Sequence, residues 1–496
     1  MIGGQPLVPL PDADRRLARL QALVERQLET TGYSCAPWVT ATDGVVPVLV
    51  VGAGQSGLAV AFGLRRTGVA GVLVIDGQPE GSAGPWATFA RMHTLRTPKD
   101  VAWPTWGVSA ATPREWFEAR YGTSGWESIE YYPTEDWHAF LEWYRATLHL
   151  PVRFGTRVER IERPADGEPF AVHTSGPGGV EVLRARRVVL ATGLEGAGGR
   201  SVPDGIFASL DRDRWAHTHD AIDFAALAGK RVGVLGGGTS AFDNAATALE
   251  NGAATATIHM RRPAMPTVSP YRWMEFPGIL EHYWSFSDEQ KWAFNAHLSA
   301  VDQPATQGAV WRAYAFDTFT FRCSSPWTAV TQDGGAVVVT TPQGTHEYDF
   351  VIAATGVRVD LGLRPELAEL VDDVATWGDR FEPPSGDPAG LARYPYLDDH
   401  FALQHRDPER HDDALARLYL FNHGARMSLG MLSHQISGLV GGAPRLVDGI
   451  ARDIFVETSS DVLNAFLAFD VPAGVTLGRR AEPGDRRLGG AQVVHA

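Results

Sequence analysis

The segment Val48-Leu49-Val50-Val51-Gly52-Ala53-Gly54-Gln55-Ser56-Gly57-Leu58-Ala59-Val60 decides the fold of this chain. Its apolar start predicts a buried strand, and the apolar residues after Gly57 predict a helix. A second apolar run ends in Asp76, about 20 residues beyond the turn. A strand, a glycine turn, a helix and a second strand that ends in an acid are typical of a dinucleotide-binding βαβ unit.

Each glycine of this first fingerprint has a predicted role. Gly52 permits a tight turn, Gly54 lets the backbone approach a pyrophosphate, and Gly57 lets helix and strand pack closely. The helix N-terminus then faces the phosphates, and the acid binds a ribose hydroxyl. A purely structural glycine turn is the alternative. The predicted cofactor contacts in this unit are Gly52, Gly54, Gln55, Ser56, Gly57, Asp76 and Gly77.

The same pattern returns in the second half of the chain. A predicted strand is followed by Gly236-Gly237-Gly238-Thr239-Ser240-Ala241, a predicted helix, and a strand that ends in Arg261-Arg262-Pro263. Two guanidinium groups in place of an acid suit a 2′-phosphate, which predicts NADP(H) rather than NAD(H). A solvated charge pair at a strand end is the alternative. The predicted contacts are Gly236, Gly238, Thr239, Ser240, Arg261 and Arg262.

Two dinucleotide units predict two dinucleotides, FAD in the first and NADPH in the second. A predicted strand ending in Ala-Thr-Gly follows each unit, and we expect Ala191, Thr192, Gly193, Thr355 and Gly356 to contact cofactor. The expected fold is α/β, with two Rossmann-like dinucleotide-binding domains, the NADP domain inserted into a split FAD domain, and a helical elaboration.

The expected domain boundaries follow from these motifs. They are an N-terminal helical extension (1–44), a first part of the FAD domain (45–224), an NADP domain (225–348) with an aromatic-rich helical insertion (263–330), a second part of the FAD domain (349–456), and a C-terminal segment (457–496) that is loose after Gly474. A long helix is expected from Ser433 to Phe455, capped by Ser428 or Ser433. The seven tryptophans between Trp86 and Trp143 are expected mainly in the core, with an aromatic substrate pocket as the alternative.

Composition excludes several classes of protein. The chain of 496 residues contains only two cysteines, Cys35 and Cys323, which exclude a disulfide framework, a CxxC redox pair and a cysteine-rich zinc site. A net charge of −14 argues against nucleic-acid binding. No apolar run is long enough for a membrane span and the start lacks a signal peptide, so a cytoplasmic protein is expected. The 16 histidines show no ligand spacing, so no metal is expected.

Together with the two fingerprints, Gly84-Pro85-Trp86 and the segment Arg91-Met92-His93-Thr94-Leu95-Arg96-Thr97-Pro98-Lys99-Asp100 make the chain resemble the class B flavoprotein monooxygenases. These include flavin-containing, N-hydroxylating and Baeyer–Villiger monooxygenases. The resemblance implies further FAD contacts at Trp86, Thr94, Leu95, Arg96, Val158, Met431 and Leu432. Disulfide reductases of the same fold carry a CxxC that this chain lacks.

Two catalytic candidates follow from the resemblance. Lys99-Asp100 is similar to the Lys-Asp of N-hydroxylating enzymes, in which the lysine holds substrate; a surface lysine is the alternative. Arg96 stands where flavin-containing monooxygenases have Asn, and it is expected to stabilise a peroxyflavin anion or to bind an acidic substrate. The family signature F-x-G-x-x-x-H is incomplete, because only His217 matches, and a structural hydrogen bond is an equal alternative for this histidine.

The resemblance implies an NADPH-dependent FAD monooxygenase that works through a C4a-(hydro)peroxyflavin and oxygenates a nitrogen or sulfur nucleophile. The expected partners are a small-molecule substrate and O2, and a homodimer is the assembly left open. Baeyer–Villiger oxygenation, an NADPH oxidase or flavin reductase, and a non-enzymatic redox sensor are the alternatives.

Overall fold

The computed structural model describes residues 7–32, 37–384, 386–387 and 389–471. Cys35 and the tail expected after Gly474 lie outside the described residues. The helices are α1 (Ala13–Thr31), α2 (Gln55–Arg66), α3 (Pro113–Glu127), α4 (Thr134–Thr147), α5 (Thr239–Glu250), α6 (Pro270–Trp273), α7 (Pro277–His282), α8 (Asp288–Val301), α9 (Gln307–Tyr314), α10 (Trp377–Arg380), α11 (Asp413–Ala416), α12 (Arg426–Leu429), α13 (Leu439–Glu457) and α14 (Ser459–Ala468). The strands are β1 (Val45–Val51), β2 (Leu73–Ile75), β3 (Thr94–Pro98), β4 (Tyr131–Pro133), β5 (Val152–Arg153), β6 (Arg157–Ile161), β7 (Phe170–Gly176), β8 (Gly179–Leu190), β9 (Gly198–Arg200), β10 (Trp215–His217), β11 (Arg231–Leu235), β12 (Thr255–His259), β13 (Phe319–Arg322), β14 (Ala329–Asp333), β15 (Ala336–Thr341), β16 (Gly344–Tyr348), β17 (Phe350–Ala353), β18 (Val357–Val359) and β19 (Leu418–Leu420).

The first sheet contains the first fingerprint. Its strand order is β5-β2-β1-β8-β7-β6, with β19 added to β8. Strands β2, β1, β8 and β19 run parallel, and the register pairs Val50 with Val74 and with Val189. All three of these valines are fully buried, because a parallel sheet is covered on both faces. The predicted first βαβ unit is thus β1-α2-β2.

The second sheet contains the second fingerprint and has the order β10-β17-β11-β12-β13, all parallel. Two strands of this sheet lie outside the expected bounds of the NADP domain, 225–348. Strand β17 (350–353) was expected in the second part of the FAD domain and β10 (215–217) in its first part. Both belong to the second sheet, because the apolar strand β17 fills the place between β10 and β11 and its Val351 and Ile352 are fully buried there.

The aromatic-rich insertion holds the predicted helices, α6 to α9, and then returns to the sheet as β13. Helix α9 packs along α5, and the joint is an ion pair between Arg312 and Asp243 at 2.9 Å. Arg312 also reaches Glu250 at 2.7 Å and donates to the backbone oxygen of Arg91 in the first unit. One guanidinium group therefore connects the insertion, the second fingerprint helix and the loop before β3.

The tryptophans of the first unit are mainly core residues. Trp103, Trp116, Trp126 and Trp137 are all at least nine-tenths buried. The rings of Trp103 and Trp137 meet edge to face at 5.6 Å between centroids, an arrangement that aromatic quadrupoles favour. Helix α1 covers the neighbouring α3, since Arg16 donates to two backbone oxygens of that helix.

The long C-terminal helix begins later than expected. Helix α13 starts at Leu439, and its N-cap residue Gly438 offers no side-chain cap. The serines expected as caps form other hydrogen bonds. Ser433 Oγ donates to the backbone oxygen of Asn422 at 2.6 Å, and Ser428 Oγ accepts from Trp377 Nε1 at 3.1 Å. The chain folds back between Met431 and Gly438, so closely that a Cβ on Gly438 would lie only 2.0 Å from the backbone oxygen of Met431. A helix that begins at Ser433 is incompatible with this turn. Within the described ranges, no helix combines the length and the apolar character that crossing a bilayer requires.

The ion pair between Asp243 and Arg312 predicts a pH-dependent contribution to the free energy of unfolding. Burial raises the pKa of Asp243 to about 6, despite the opposing charge of Arg312. A carboxyl whose pKa is raised on folding stabilises the fold at low pH and loses this contribution as the pH rises through its folded pKa. We expect the free energy of unfolding of Asp243→Asn, relative to wild type, to increase by about 1–3 kcal/mol between pH 4 and pH 7. Urea denaturation at both pH values measures this difference, and a relative loss of stability at pH 7 would contradict it.

Candidate active site

A cleft of about 2090 Å³ lies between the two units. It opens at the carboxyl ends of β1 and β8, the edge at which ligands bind in open α/β sheets. The cleft brings together most residues predicted from the first unit: Gly52, Gly54, Gln55, Ser56, Asp76, Gly77, Trp86, Thr94, Leu95, Arg96, Val158, Ala191, Thr192 and Gly193.

The glycines of the first fingerprint are required by close backbone contacts. Gly52 has a φ of +109°, and a Cβ there would lie 2.4 Å from the backbone oxygen of Ala191. A Cβ on Gly57 would lie 1.8 Å from the backbone oxygen of Gly52. A Cβ on Gly54 would instead enter the cleft, where its nearest neighbour is Gly84 Cα at 3.7 Å. Helix α2 begins just after Gly54 without a side-chain cap, so its free N–H groups face an open cradle that fits an anion.

Asp76 closes one end of this cradle. Its Oδ2 accepts from the backbone N–H of Ala53 and its Oδ1 from that of Gln78, each at 2.8 Å. The carboxylate is buried and held rigidly at the rim of the cleft. Because each carboxylate oxygen can accept a second hydrogen bond, Asp76 can still hold a ribose hydroxyl.

The second fingerprint has the same backbone geometry but does not line the cleft. Gly236 has a φ of +140°, and a Cβ there would lie 2.2 Å from the backbone oxygen of Ala354. Helix α5 begins after Gly238 without a side-chain cap, and Gly238 and Ser240 are exposed. Thr355 Oγ1 donates to Ser201 in a structural contact. The uncapped, exposed N-terminus of α5 is available to a second phosphate group.

The two arginines after β12 have different surroundings. The side chain of Arg261 is exposed and accessible to a ligand. Arg262 Nη1 donates to the backbone oxygen of Ala300 at 3.1 Å, and its Nη2 lies 3.7 Å from Asp302. Arg262 is therefore already bound to the insertion, whereas Arg261 has no ion pair within the described part of the chain and can meet a phosphate.

Arg96 connects the cleft to the second fingerprint. It lies on β3, and its Nη1 donates to Thr239 Oγ1 at 3.0 Å, at the start of α5. Its Nη2 donates to the backbone oxygen of Pro304 at 2.7 Å. Burial lowers the pKa of Arg96, which nearby Tyr271 and Asp302 partly offset. No carboxylate among the described residues forms an ion pair with this guanidinium, so its charge is available to an anionic ligand.

Lys99, the predicted substrate lysine, points elsewhere. Its Nζ donates to the backbone oxygen of Trp126 at 2.6 Å and lies 5.2 Å from the centroid of the Trp126 ring. Lys99 is not among the residues that line the cleft. The observed role of this lysine is to fasten β3 to the end of α3.

Two histidines at the end of β10 and just beyond it have distinct roles. His217 Nε2 donates to the backbone oxygen of Gly356 at 3.0 Å, while its Nδ1 accepts from the backbone N–H of His219. Burial lowers the pKa of His217 to about 4, so it is a neutral, structural residue. His219 lines the cleft, and its Nδ1 donates to Glu195 Oε1 at 2.6 Å.

Sequence reasoning missed several cleft residues. Glu195 escaped notice because its partner, His219, is distant in the chain, although its place just after Gly193 at a strand end was a usable signal. His423 and His434 also line the cleft, and His423 Nδ1 lies 3.4 Å from His434 Nε2. Burial lowers the pKa of His434 to about 3. Met431 and Leu432 are buried and do not line the cleft; their successors His434, Gln435 and Ile436 do.

Two groups of acids and histidine in the described residues have the spacing of metal ligands, and both lie outside the cleft. In the first, Arg163 forms ion pairs at 2.7 Å with Asp373 and with Asp412. The second is Asp398-Asp399-His400, in which His400 Nδ1 lies 2.7 Å from Asp399. The positive charge of Arg163 therefore already compensates the carboxylates of the first group.

Comparison with known proteins identifies the family. The family model described as pyridine nucleotide-disulphide oxidoreductase matches residues 49–314. The FAD-dependent urate hydroxylase of Xanthomonas campestris pv. campestris is 42% identical over 464 residues, which cover 92% of this chain and 96% of that protein.

Solved structures show the same fold. The ornithine N-hydroxylase of Kutzneria sp. 744 is 18% identical with a TM-score of 0.63, over 83% of this chain and 100% of that chain. The L-lysine 6-monooxygenase of Pseudomonas syringae is 15% identical with a TM-score of 0.60, over 82% of this chain and 100% of that chain. The family model spans more than half of this sequence and the Xanthomonas relative almost all of it. The chain therefore belongs to the pyridine nucleotide-disulphide oxidoreductase family, and its similarity to an FAD-dependent hydroxylase confirms the predicted resemblance to the flavoprotein monooxygenases.

Proposed function

We propose that this protein is an NADPH-dependent FAD monooxygenase that hydroxylates urate or a closely related planar, anionic nitrogen heterocycle. The observation that carries the proposal is the 42% identity to a urate hydroxylase across nearly the full length of both chains. The overall reaction is RH + O2 + NADPH + H⁺ → ROH + NADP⁺ + H2O.

The first unit fits FAD. The open cradle at Gly54 and the uncapped start of α2 would hold its pyrophosphate, and Asp76 would hold a ribose hydroxyl. Trp86 and Leu95 line the same cleft on the side of β3 and would border the flavin. When bound, FAD accepts hydride from NADPH and transfers one oxygen atom of O2 to the substrate.

The cleft also suits a planar anion. Arg96 supplies a guanidinium that no carboxylate of the described residues neutralises, and Arg272 adds a second cation at the rim. Tyr271 and Trp311 line the same region and offer aromatic faces. Guanidinium groups bind planar anions with directed hydrogen bonds, and aromatic rings stack on heterocycles.

The expectation of nitrogen or sulfur oxygenation rested on the resemblance, and the preference for nitrogen rested on Lys99, which does not line the cleft. It remains a prediction, as does Baeyer–Villiger oxygenation, and each is a defined outcome of the substrate assay. An NADPH oxidase or flavin reductase would bind the same cofactors without consuming a substrate.

The substrate assay supplies urate, a primary amine, a thioether or a ketone to the holoenzyme with NADPH and O2. We expect one urate consumed per NADPH and per O2, with NADPH oxidation at least about tenfold faster than without urate. Absorbance follows NADPH and urate, and an electrode follows O2. Coupled turnover of only the amine, thioether or ketone would replace urate by that substrate class, and NADPH oxidation that yields only hydrogen peroxide would establish an oxidase.

The cradle at Gly54 can be tested apart from turnover. We expect Gly54→Ala to fold with a melting temperature of the cofactor-free protein near that of wild type, since its Cβ meets only Gly84 Cα at 3.7 Å. Its FAD dissociation constant should rise at least about tenfold, because the methyl group occupies the path of the pyrophosphate. Gly57→Ala is the matched comparison: its Cβ would strike a backbone oxygen, so this variant should lose stability. FAD affinity equal to wild type in Gly54→Ala would refute the cradle.

Arg261 is expected to select NADPH over NADH. Removal of one charge-assisted hydrogen bond costs about 1.5–3 kcal/mol, so Arg261→Ala should raise the KM for NADPH by about tenfold or more. The KM for NADH serves as the internal control and should stay within about twofold. Steady-state kinetics with both cofactors measure the ratio, and an equal effect on both would remove Arg261 from the 2′-phosphate site.

A further inference from the structure

Glu195 and His219 form an acid–histidine pair inside the cleft that the cofactor sites do not use. Glu195 follows β8 in the first unit by five residues, and His219 follows β10 in the second unit by two. Both residues line the cleft. The pair is therefore assembled only where the carboxyl ends of the two sheets meet, which is where substrate and cofactors must also meet.

The hydrogen bonds define the tautomer of His219. Glu195 Oε1 lies 2.6 Å from His219 Nδ1, and because a carboxylate only accepts, Nδ1 carries the proton. The second nitrogen, Nε2, is then an unprotonated acceptor in the neutral ring. Among the residues that the structure describes, Nε2 has no hydrogen-bond partner. The neighbouring His217 differs, since both of its ring nitrogens are used.

Packing fixes the orientation of the His219 ring. The ring stacks on Phe89 with centroids 4.1 Å apart and planes 24° from parallel. The His219 side chain is only 8% exposed, so a ligand in the cleft would displace the little water that reaches it. A ring held by a carboxylate on one nitrogen, with the other nitrogen free, is the arrangement of an oriented general base.

The charges around the pair support an ionised carboxylate. Burial opposes ionisation of Glu195, but the hydrogen bond from His219 and the guanidinium of Arg200 outweigh it, so the pKa of Glu195 lies below its ordinary value. His217 meets the His219 ring edge to face, Arg200 donates to the backbone oxygen of His219, and Arg91 and Arg212 bind the adjacent Asp220. Asp220 is in turn paired with Arg200.

We propose that His219, positioned by Glu195, is the general base that removes a ring N–H proton from the heterocyclic substrate. This inference rests on the proposed function. In the step, the substrate N–H bond breaks, a bond between hydrogen and Nε2 forms, and the electron pair stays on the heterocycle. Neither His219 nor Glu195 is oxidised or reduced in this step. The ring becomes more electron-rich and hence a better nucleophile for oxygen transfer, and the imidazolium is stabilised by Glu195 until the proton returns to solvent.

The experiment compares wild type, His219→Gln, His219→Ala, Glu195→Gln and the control His297→Gln, which changes an exposed histidine on α8 outside the cleft. We expect His219→Gln to lower kcat for urate by about 100-fold or more at neutral pH and to abolish the fall of kcat/KM at acid pH. Glu195→Gln should lower kcat less, and added imidazole should restore part of the activity of His219→Ala. His297→Gln should match wild type.

Two measurements need no turnover. FAD content and the rate of anaerobic flavin reduction by NADPH should stay within about twofold of wild type in every variant. The anaerobic dissociation constant of urate, from the perturbed flavin spectrum, should lose its pH dependence in His219→Gln. If wild type turns over urate while His219→Gln keeps kcat within twofold and the same pH profile, or changes KM alone, the base assignment is wrong. If wild type does not consume urate, the proposed function fails, and the base assignment falls with it.

Discussion

The architecture depends on one close approach of backbone to backbone. At Gly52 the turn after β1 passes so near the end of β8 that a Cβ would lie 2.4 Å from the backbone oxygen of Ala191. The second unit repeats this contact at 2.2 Å between Gly236 and Ala354. In both units the contacted alanine begins an Ala-Thr-Gly sequence on the neighbouring parallel strand. The fingerprint and the Ala-Thr-Gly motif are thus two sides of one contact, and glycine is required because any side chain would separate the strands.

Guanidinium groups then connect the two units. Arg96 extends from β3 to the first residue of α5, and Arg312 pairs with Asp243 and Glu250 while it donates to the loop at Arg91. These contacts run along α5 from its first residue, Thr239, to its last, Glu250. Arginine suits this position because its planar donor group serves several acceptors at once and remains charged when partly buried. The relative placement of the two sheets, and with it the shape of the cleft, therefore depends on a few long side chains together with the short backbone pairing of β9 with β18.

Local features of the fold were predictable from sequence, whereas tertiary ones were not. Both βαβ units, the helical insertion and the roles of Gly52 and Gly57 follow from short-range patterns with a definite steric cause. The membership of β10 and β17 in the second sheet does not, because an apolar strand fits either sheet and only the order of neighbours decides. The direction of Lys99 was not predictable for a related reason: a motif places its backbone, but the nearby oxygen of Trp126 determines where its Nζ points. Glu195 and His219 come from different units, so no local pattern could join them.

The functional groups at the meeting point of the units explain how this scaffold suits oxygenation. The family model is described by disulphide chemistry, but this chain has only two cysteines, and Cys323 does not line the cleft. The groups found there instead are the guanidinium of Arg96, which forms no ion pair with a carboxylate of the described residues, and the carboxylate–imidazole pair of Glu195 and His219. Such groups bind anions and move protons, and neither exchanges electrons. Because these groups come from both sides of the cleft, any change in the separation of the two units must alter the Glu195–His219 and Arg96–Thr239 contacts together.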